Sequence, residues 1–157
     1  MDKIKRMNSI KLDDKDHEIL GALKKDSRST VAELSNLLKM PRATTHERIM
    51  RLRNFGVIKR FTIEQDYQKT GLPTLAFIFV SYLSGSITDQ HELAKTLSAI
   101  SGVLGVYIVS GEWDMILKVR GKTIEDIGGM IIDRIRKTPG IAKTYTVACF
   151  EVAKDEV

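Results

Sequence analysis

Cysteine occurs once in the 157 residues, at Cys149. The chain can therefore close no disulfide on itself and can assemble no thiolate-rich metal site. In the apolar run "TYTVACFEV" this thiol reads as a buried structural one. Histidine is scarce too: His17, His46 and His91 have neither paired metal-ligand spacing nor a cysteine neighbour, so each reads as a solvated or packed imidazole. No metal or cofactor is expected. Proline is limited to 3 residues, and the 43% hydrophobic and 29% charged composition is that of a globular chain. Long apolar runs are missing; "LAFIFV", residues 75 to 80, falls far short of the roughly 20 residues a bilayer helix needs. The start, "MDKIKRMNSIKLDD", lacks the apolar segment of a secretory signal. These absences predict a cytoplasmic protein with no membrane partner.

What is present is an uneven distribution of charge. Residues 1 to 60 carry 15 Lys and Arg against 8 Asp and Glu, whereas residues 61 to 157 carry 10 against 12. A basic front and a near-neutral back suggest that the front faces a polyanion, the competing reading being a merely solvated surface.

The first sixty residues carry the signals of three short helices. Asp13 can cap a helix in "DDKDHEILGALKKD", where Ile19, Leu20 and Leu23 form a stripe and acids precede lysines, as the helix dipole favours. Thr30 and Glu33 have capping-box spacing ahead of Val31, Leu34, Leu37 and Leu38, which predicts a second helix stopping near Lys39. Pro41 suits the first turn of a third helix, and Gly56 lies just past its end. On a wheel of about 100° per residue, Thr45, Ile49 and Leu52 point inward. Arg42, His46, Met50 and Arg53 share one flank, Arg48 and Arg51 the other, and Ala43 and Glu47 point away from the core.

A helix that enters a major groove buries one face in its own domain and offers its amino-terminal half to base edges, with flanking cations on phosphates. Arg42, Thr44 and His46 are the candidates for base edges, and Ala43 is small enough for close approach or for a thymine methyl. Arg48, Arg51, Lys59 and Arg60 are candidates for phosphate, and Arg53 on the Arg42 flank completes the set. Glu47 would repel phosphate unless it accepts from a cytosine amine or pairs with Arg51, four residues on, and the spacing favours the pairing. The stretch "GVIKRFTIEQ" has strand-like Val57, Ile58, Phe61 and Ile63, which predicts a short wing or connecting strand.

In "LDDKDHEILGALKKDSRSTVAELSNLL", "ERIMRLRNFGVIKRF", "GVYIVSGEWDMILKV" and "GIAKTYTVACFEV", the chain resembles the Lrp/AsnC family, the leucine-responsive or feast/famine regulators, over roughly residues 12 to 153. The resemblance implies a winged helix-turn-helix followed by a ferredoxin-like domain that dimerises, often binds an amino acid, and assembles to tetramers or octamers. It also implies that Gly111, Glu112, Trp113, Asp114, Thr144 and Thr146 form the effector site. Two departures from the family pattern are Thr45, at a position the family usually fills with an apolar residue, and the extension of residues 1 to 11.

On its own residues the back half alternates strand, helix, strand, strand, helix, strand, the βαββαβ order of a ferredoxin-like fold. The helices rest on Leu93, Leu97 and Ile100, and on Ile127, Ile131 and Ile135. The α+β chain thus divides into an extension at 1–11, a helix-turn-helix domain at 12–60, a connecting strand and hinge at 61–72, and an effector-binding and oligomerisation domain at 73–157. Two helices cover only one face of a four-stranded sheet, and a second copy is the economical cover for the other. In "SGEWDM", Gly111 permits a tight turn, and Glu112 and Asp114 suit an ammonium group; a plain hairpin with a packed Trp113 is the competing reading. Gly128 and Gly129 inside the last helix suggest close packing or ligand approach.

These features predict a sequence-specific DNA-binding transcription regulator responding to a small molecule, which the resemblance implies is an amino acid. Two alternatives differ in kind. One is an architectural DNA-binding protein without an effector. The other is an enzyme resembling sirohaem decarboxylases, which the lone His91 of the second domain, with no acid–base or nucleophile constellation beside it, does little to support.

Overall fold

A computed structural model describes residues 10–155, which fall into two compact units, one ending at Glu64 and the other beginning at Gln65.

In the first unit, helix α1 spans Asp14–Lys25, α2 Val31–Leu37 and α3 Arg42–Asn54. Asp13 caps α1 by accepting from the Asp16 N–H, while the Asp16 carboxylate accepts from the Asp13 N–H; Thr30 and Glu33 do the same for α2. Such boxes fix where a helix starts by occupying donors that would otherwise be unpaired. The turn into α3 depends on Lys39, which adopts a left-handed φ of 49°, and on the Ser35 hydroxyl, which donates to the Met40 carbonyl at 2.6 Å. Pro41 stands at the N-cap rather than inside the first turn, one residue earlier than expected.

Helix α3 ends in a Schellman arrangement. Gly56, at φ 72°, donates to the Arg53 carbonyl at 2.9 Å and Val57 to the Leu52 carbonyl at 2.9 Å. A glycine there avoids the Cβ clash of the left-handed conformation. Ile19, Leu23, Leu34, Ile49 and Leu52 form the core, with Val57 and Ile58 packed against it. The strand expected from residue 57 onward, and the connecting strand in 61–72, do not form. Val57 and Ile58 are used to close α3, and Phe61 and Ile63 lie exposed in a segment without regular secondary structure and with no ladder partner among the described residues.

The second unit is a four-stranded antiparallel sheet in the order β2-β3-β1-β4, built from β1 (Thr74–Tyr82), β2 (Val103–Ile108), β3 (Met115–Gly121) and β4 (Ile141–Cys149). Helices α4 (Gln90–Ser98) and α5 (Ile124–Met130) complete the βαββαβ order. The last helix is not α-helical throughout, as the sequence suggested; Ile131–Ile135 forms a π-helical turn continuing α5. Residues paired across strands share a face. Ala76, Ile78 and Val80 of β1 and Met115, Leu117 and Val119 of β3 are fully buried with Leu93, Leu97 and Ile127, which makes this the helix-covered face. The opposite face carries Phe77, Phe79, Ile116, Tyr145 and Val147, and Tyr145 is 56% exposed. Cys149 belongs to that open side. It is half-buried rather than buried, and its Sγ donates to the Glu151 carbonyl at 3.2 Å.

Candidate functional site

The wheel drawn from sequence is the one the first unit adopts. Thr45, Ile49 and Leu52 are the buried residues of α3, and Thr45, in an apolar setting, satisfies its hydroxyl by donating to the Pro41 carbonyl at 3.1 Å. Arg42, Ala43, His46, Glu47 and Arg53 are exposed and Thr44 is half-buried, so the amino-terminal half of the helix presents its front to solvent. Lys59 and Arg60 follow on exposed backbone.

The other flank is engaged within the protein. Arg48 Nη1 donates to both Asp13 carboxylate oxygens at 2.8 Å and to Asp16 Oδ1 at 2.9 Å, and Arg51 Nη2 donates to Asp16 Oδ2 at 2.7 Å. Asp16 is wholly buried, and its second oxygen also accepts from the Asp13 N–H at 3.2 Å, so a costly buried carboxylate has its acceptor positions filled. The Arg48 hydrogen bond, followed by the Asp16 N–H, holds the Asp13 carboxyl below its ordinary value, and the Asp13 and Asp16 hydrogen bonds raise Arg48. Arg51 is thus committed to Asp16, not to Glu47 as the spacing suggested. Sequence reading missed Asp16 as the anchor of α3. The D-x-x-D pattern at Asp13 and Asp16 was its only local trace.

In the second unit the six residues of the expected effector site are divided. Gly111, at φ 130°, turns the hairpin between β2 and β3, with Glu112 exposed beside it. The turn is closed by Val109 donating to the Asp114 carbonyl at 2.9 Å. Asp114 Oδ2 accepts from the Tyr82 N–H at 2.8 Å, which ties the hairpin to the end of β1. Trp113 leans onto the open face: it stacks on Tyr145 with centroids 6.0 Å apart, meets Phe79 at 6.0 Å, and has Lys143 Nζ 5.1 Å above its ring.

Thr144 and Thr146 point the other way, because they pair with the core residues Val80 and Ile78. Arg136 Nε donates to Thr144 Oγ1 at 2.9 Å. Thr146 lines a cavity of about 270 Å³ between α5, the π-helical turn and β4. The expectation that Gly128 and Gly129 permit close packing is not met, since a Cβ at either would touch nothing within 4 Å. Gly128 instead lies on the cavity wall.

A helix-turn-helix with an exposed basic front, followed by a ferredoxin-like domain, defines a class of transcription regulators. The profile described as winged helix-turn-helix DNA-binding matches residues 12–59, and that of the Lrp/AsnC ligand binding domain matches residues 75–157. The chain belongs to the Lrp/AsnC family of transcription regulators. It is 41% identical over 146 residues, covering 93% of this chain and 97% of the relative, to an uncharacterized HTH-type transcriptional regulator of Pyrococcus abyssi. Among solved structures, LrpC of B. subtilis superposes with a TM-score of 0.82 at 27% identity, covering 92% of this chain and 99% of its own. The fold is also that of a Neisseria meningitidis transcriptional regulator in complex with L-Met, with a TM-score of 0.86 at 20% identity over 93% and 94% of the two chains. Among the described residues no helix is long and apolar enough to cross a membrane.

Proposed function

We propose that this regulator reads specific DNA sequence through α3 and that an amino acid bound by its second unit alters its DNA affinity or its assembly. The observation that carries the DNA reading is the division of α3: one flank is locked to α1 through Asp16 while Arg42, Ala43, Thr44 and His46 are left facing outward. Base-edge contacts fall to Arg42, Thr44 and His46, and phosphate contacts to Arg53, Lys59 and Arg60. Arg48 and Arg51, phosphate candidates on sequence alone, have Nη1 and Nη2 respectively engaged by carboxylates within 3 Å, which offset their charge and make them weaker phosphate candidates than the exposed cations.

The open sheet face supports a homodimer. Tyr145, Val147 and Tyr107 expose apolar surface there, and a second copy of the same sheet would cover it while presenting two recognition helices to one operator in the cytoplasm. Assembly to tetramers or octamers extends the same reading. Support for an amino-acid effector comes from the ligand-binding domain match and from the L-Met held by the meningococcal protein of the same fold. Gly111, Glu112, Trp113, Asp114, Thr144 and Thr146 remain its candidate contacts.

Two experiments test the proposal. Selection of bound fragments from genomic DNA, followed by footprinting at low ionic strength, should yield a shared pattern. Arg42→Ala should relax that preference, whereas Lys59→Ala should weaken all DNA alike and lower the salt slope by about one. Protection of no fragment ends the DNA reading. Calorimetry against the twenty amino acids, with and without operator, addresses the effector; no heat and no change in DNA affinity removes it.

A further inference from the structure

Two turns in the first unit share one hydrogen-bond pattern and differ in the residue at their centre. After α3, Gly56 donates to the Arg53 carbonyl at 2.9 Å and Val57 to the Leu52 carbonyl at 2.9 Å. After α2, Lys39 donates to the Asn36 carbonyl at 3.4 Å and Met40 to the Ser35 carbonyl at 3.0 Å. Both are Schellman turns, and each needs one residue in the left-handed region, where glycine is the default. Gly56 takes that conformation at φ 72° and Lys39 at φ 49°; among the described residues Lys39 is the only non-glycine with positive φ. A Cβ at Gly56 would meet nothing within 4 Å, so glycine there serves backbone conformation alone. The same relief is open to position 39, yet a lysine occupies it.

No contact inside the fold explains that lysine. Its side chain is exposed and forms no hydrogen bond or ion pair with any described residue. Its backbone is held in place, because the Ser35 hydroxyl donates to the Met40 carbonyl at 2.6 Å while the Met40 N–H returns to the Ser35 carbonyl. Strained residues over-determined by their surroundings cluster at sites that engage a ligand.

Position says what that ligand is. Lys39 stands two residues before Pro41, the N-cap of α3, in a helix-turn-helix matched as DNA-binding over residues 12–59. With the amino-terminal half of α3 on base edges and the preceding helix crossing the backbone, the turn between them lies beside phosphates. A lysine ammonium on its flexible stem meets a phosphate as a point charge.

We infer that Lys39 is a phosphate anchor: its ammonium holds DNA backbone beside the entry of α3, and the turn stays strained to keep it there. The inference rests on α3 entering the groove and adds a contact that glycine, the residue the turn prefers, could not make. The anchor raises affinity without reading sequence.

The competing use of the lysine is the carboxyl end of α2, which has no basic residue in its last turn and which a cation would favour. One substitution separates the two. Lys39→Gly should raise the folding equilibrium constant by about two- to fivefold in chemical denaturation. In the same variant, DNA affinity should fall by about tenfold at 50 mM salt and about threefold at 200 mM for each subunit engaged. The salt slope should become shallower by about 0.9 per subunit, equally on operator and unrelated duplex. Lys39→Asn, neutral and tolerant of left-handed backbone, should lose the same affinity, and Lys39→Arg should keep it.

Fluorescence anisotropy of labelled duplexes across a salt series reads these changes. An unchanged slope in Lys39→Gly and Lys39→Asn, with wild-type binding intact, overturns the inference alone. So does a Lys39→Gly variant that is destabilised yet binds DNA as the wild type does, the signature of a helix-end cation. A loss confined to operator DNA would make Lys39 a base contact and overturns the anchor as well. Wild-type protein that binds no duplex at any salt removes the DNA reading, and the anchor with it.

Discussion

Asp16→Asn tests whether α1 and α3 are joined by charge. The substitution keeps size and one acceptor oxygen but removes the negative charge facing Arg48 and Arg51, at 2.9 and 2.7 Å. Removing one partner of a fully buried pair costs about 3–5 kcal/mol. Here the arginine side chains are 25% and 40% exposed, so water recovers part of their solvation, and Arg48 keeps Asp13. A loss of about 2–3 kcal/mol is therefore expected. For a unit of this size that lowers the midpoint by roughly 10–20 °C. Trp113, the only tryptophan, lies in the second unit. Helix-weighted circular dichroism should show an early transition while tryptophan fluorescence follows the wild-type curve. A midpoint within about 2 °C of wild type by both probes would show that helix packing alone holds α3 and that the ion pairs contribute nothing measurable.

Other perturbations reach other parts of the molecule. Asp13 titrates below its ordinary value of 3.8 in the folded protein because of its hydrogen bond to Arg48. Its contribution is therefore present above the unfolded value and lost as pH falls through the folded one. Acid titration of the first unit should show a loss of stability below about pH 4, and Asp13→Ala should flatten that part of the curve. Lys39→Gly removes a side chain from left-handed backbone in the turn before α3 and should stabilise by about 0.5–1 kcal/mol in chemical denaturation; a destabilised variant would mean that the lysine side chain makes a contact worth more than the strain. If the proposed dimer forms through the open sheet face, Tyr145→Glu, which places a carboxylate there, should convert it to monomer in sedimentation without disturbing the strand ladder; an unchanged dimer mass would locate the interface elsewhere.

Most of the fold was legible in the sequence because it depends on short-range signals. Asp13, Thr30 with Glu33, and Gly56 mark helix ends through hydrogen bonds to backbone a few residues away. Thr45, Ile49 and Leu52 share a face by helical period alone. What stayed hidden is long-range. A helical wheel puts Arg48 and Arg51 on one flank but carries no information on what faces it, and the Asp16 carboxylate is 32 and 35 residues away. Residues 57 to 65 show why strand propensity is not sufficient: Phe61 and Ile63 suit a sheet, yet among the described residues nothing offers them a ladder. The π-helical turn was unreadable because Ile127, Ile131 and Ile135 repeat at a spacing that an α-helix also accepts. The candidate effector residues rest on resemblance alone, and the division of Thr144 and Thr146 from Trp113 follows from strand pairing, which fixes their face.

Strand β4 is an outer strand of the sheet, and along it Thr144, Tyr145 and Thr146 alternate sides. One peptide of β4 thus separates the Arg136–Thr144 hydrogen bond on the helix-covered side from the Trp113–Tyr145 stack on the open face. A slight displacement of that peptide moves consecutive side chains on both sides at once, so whatever presses on one face of β4 is felt on the other without a hinge, a long relay or unfolding.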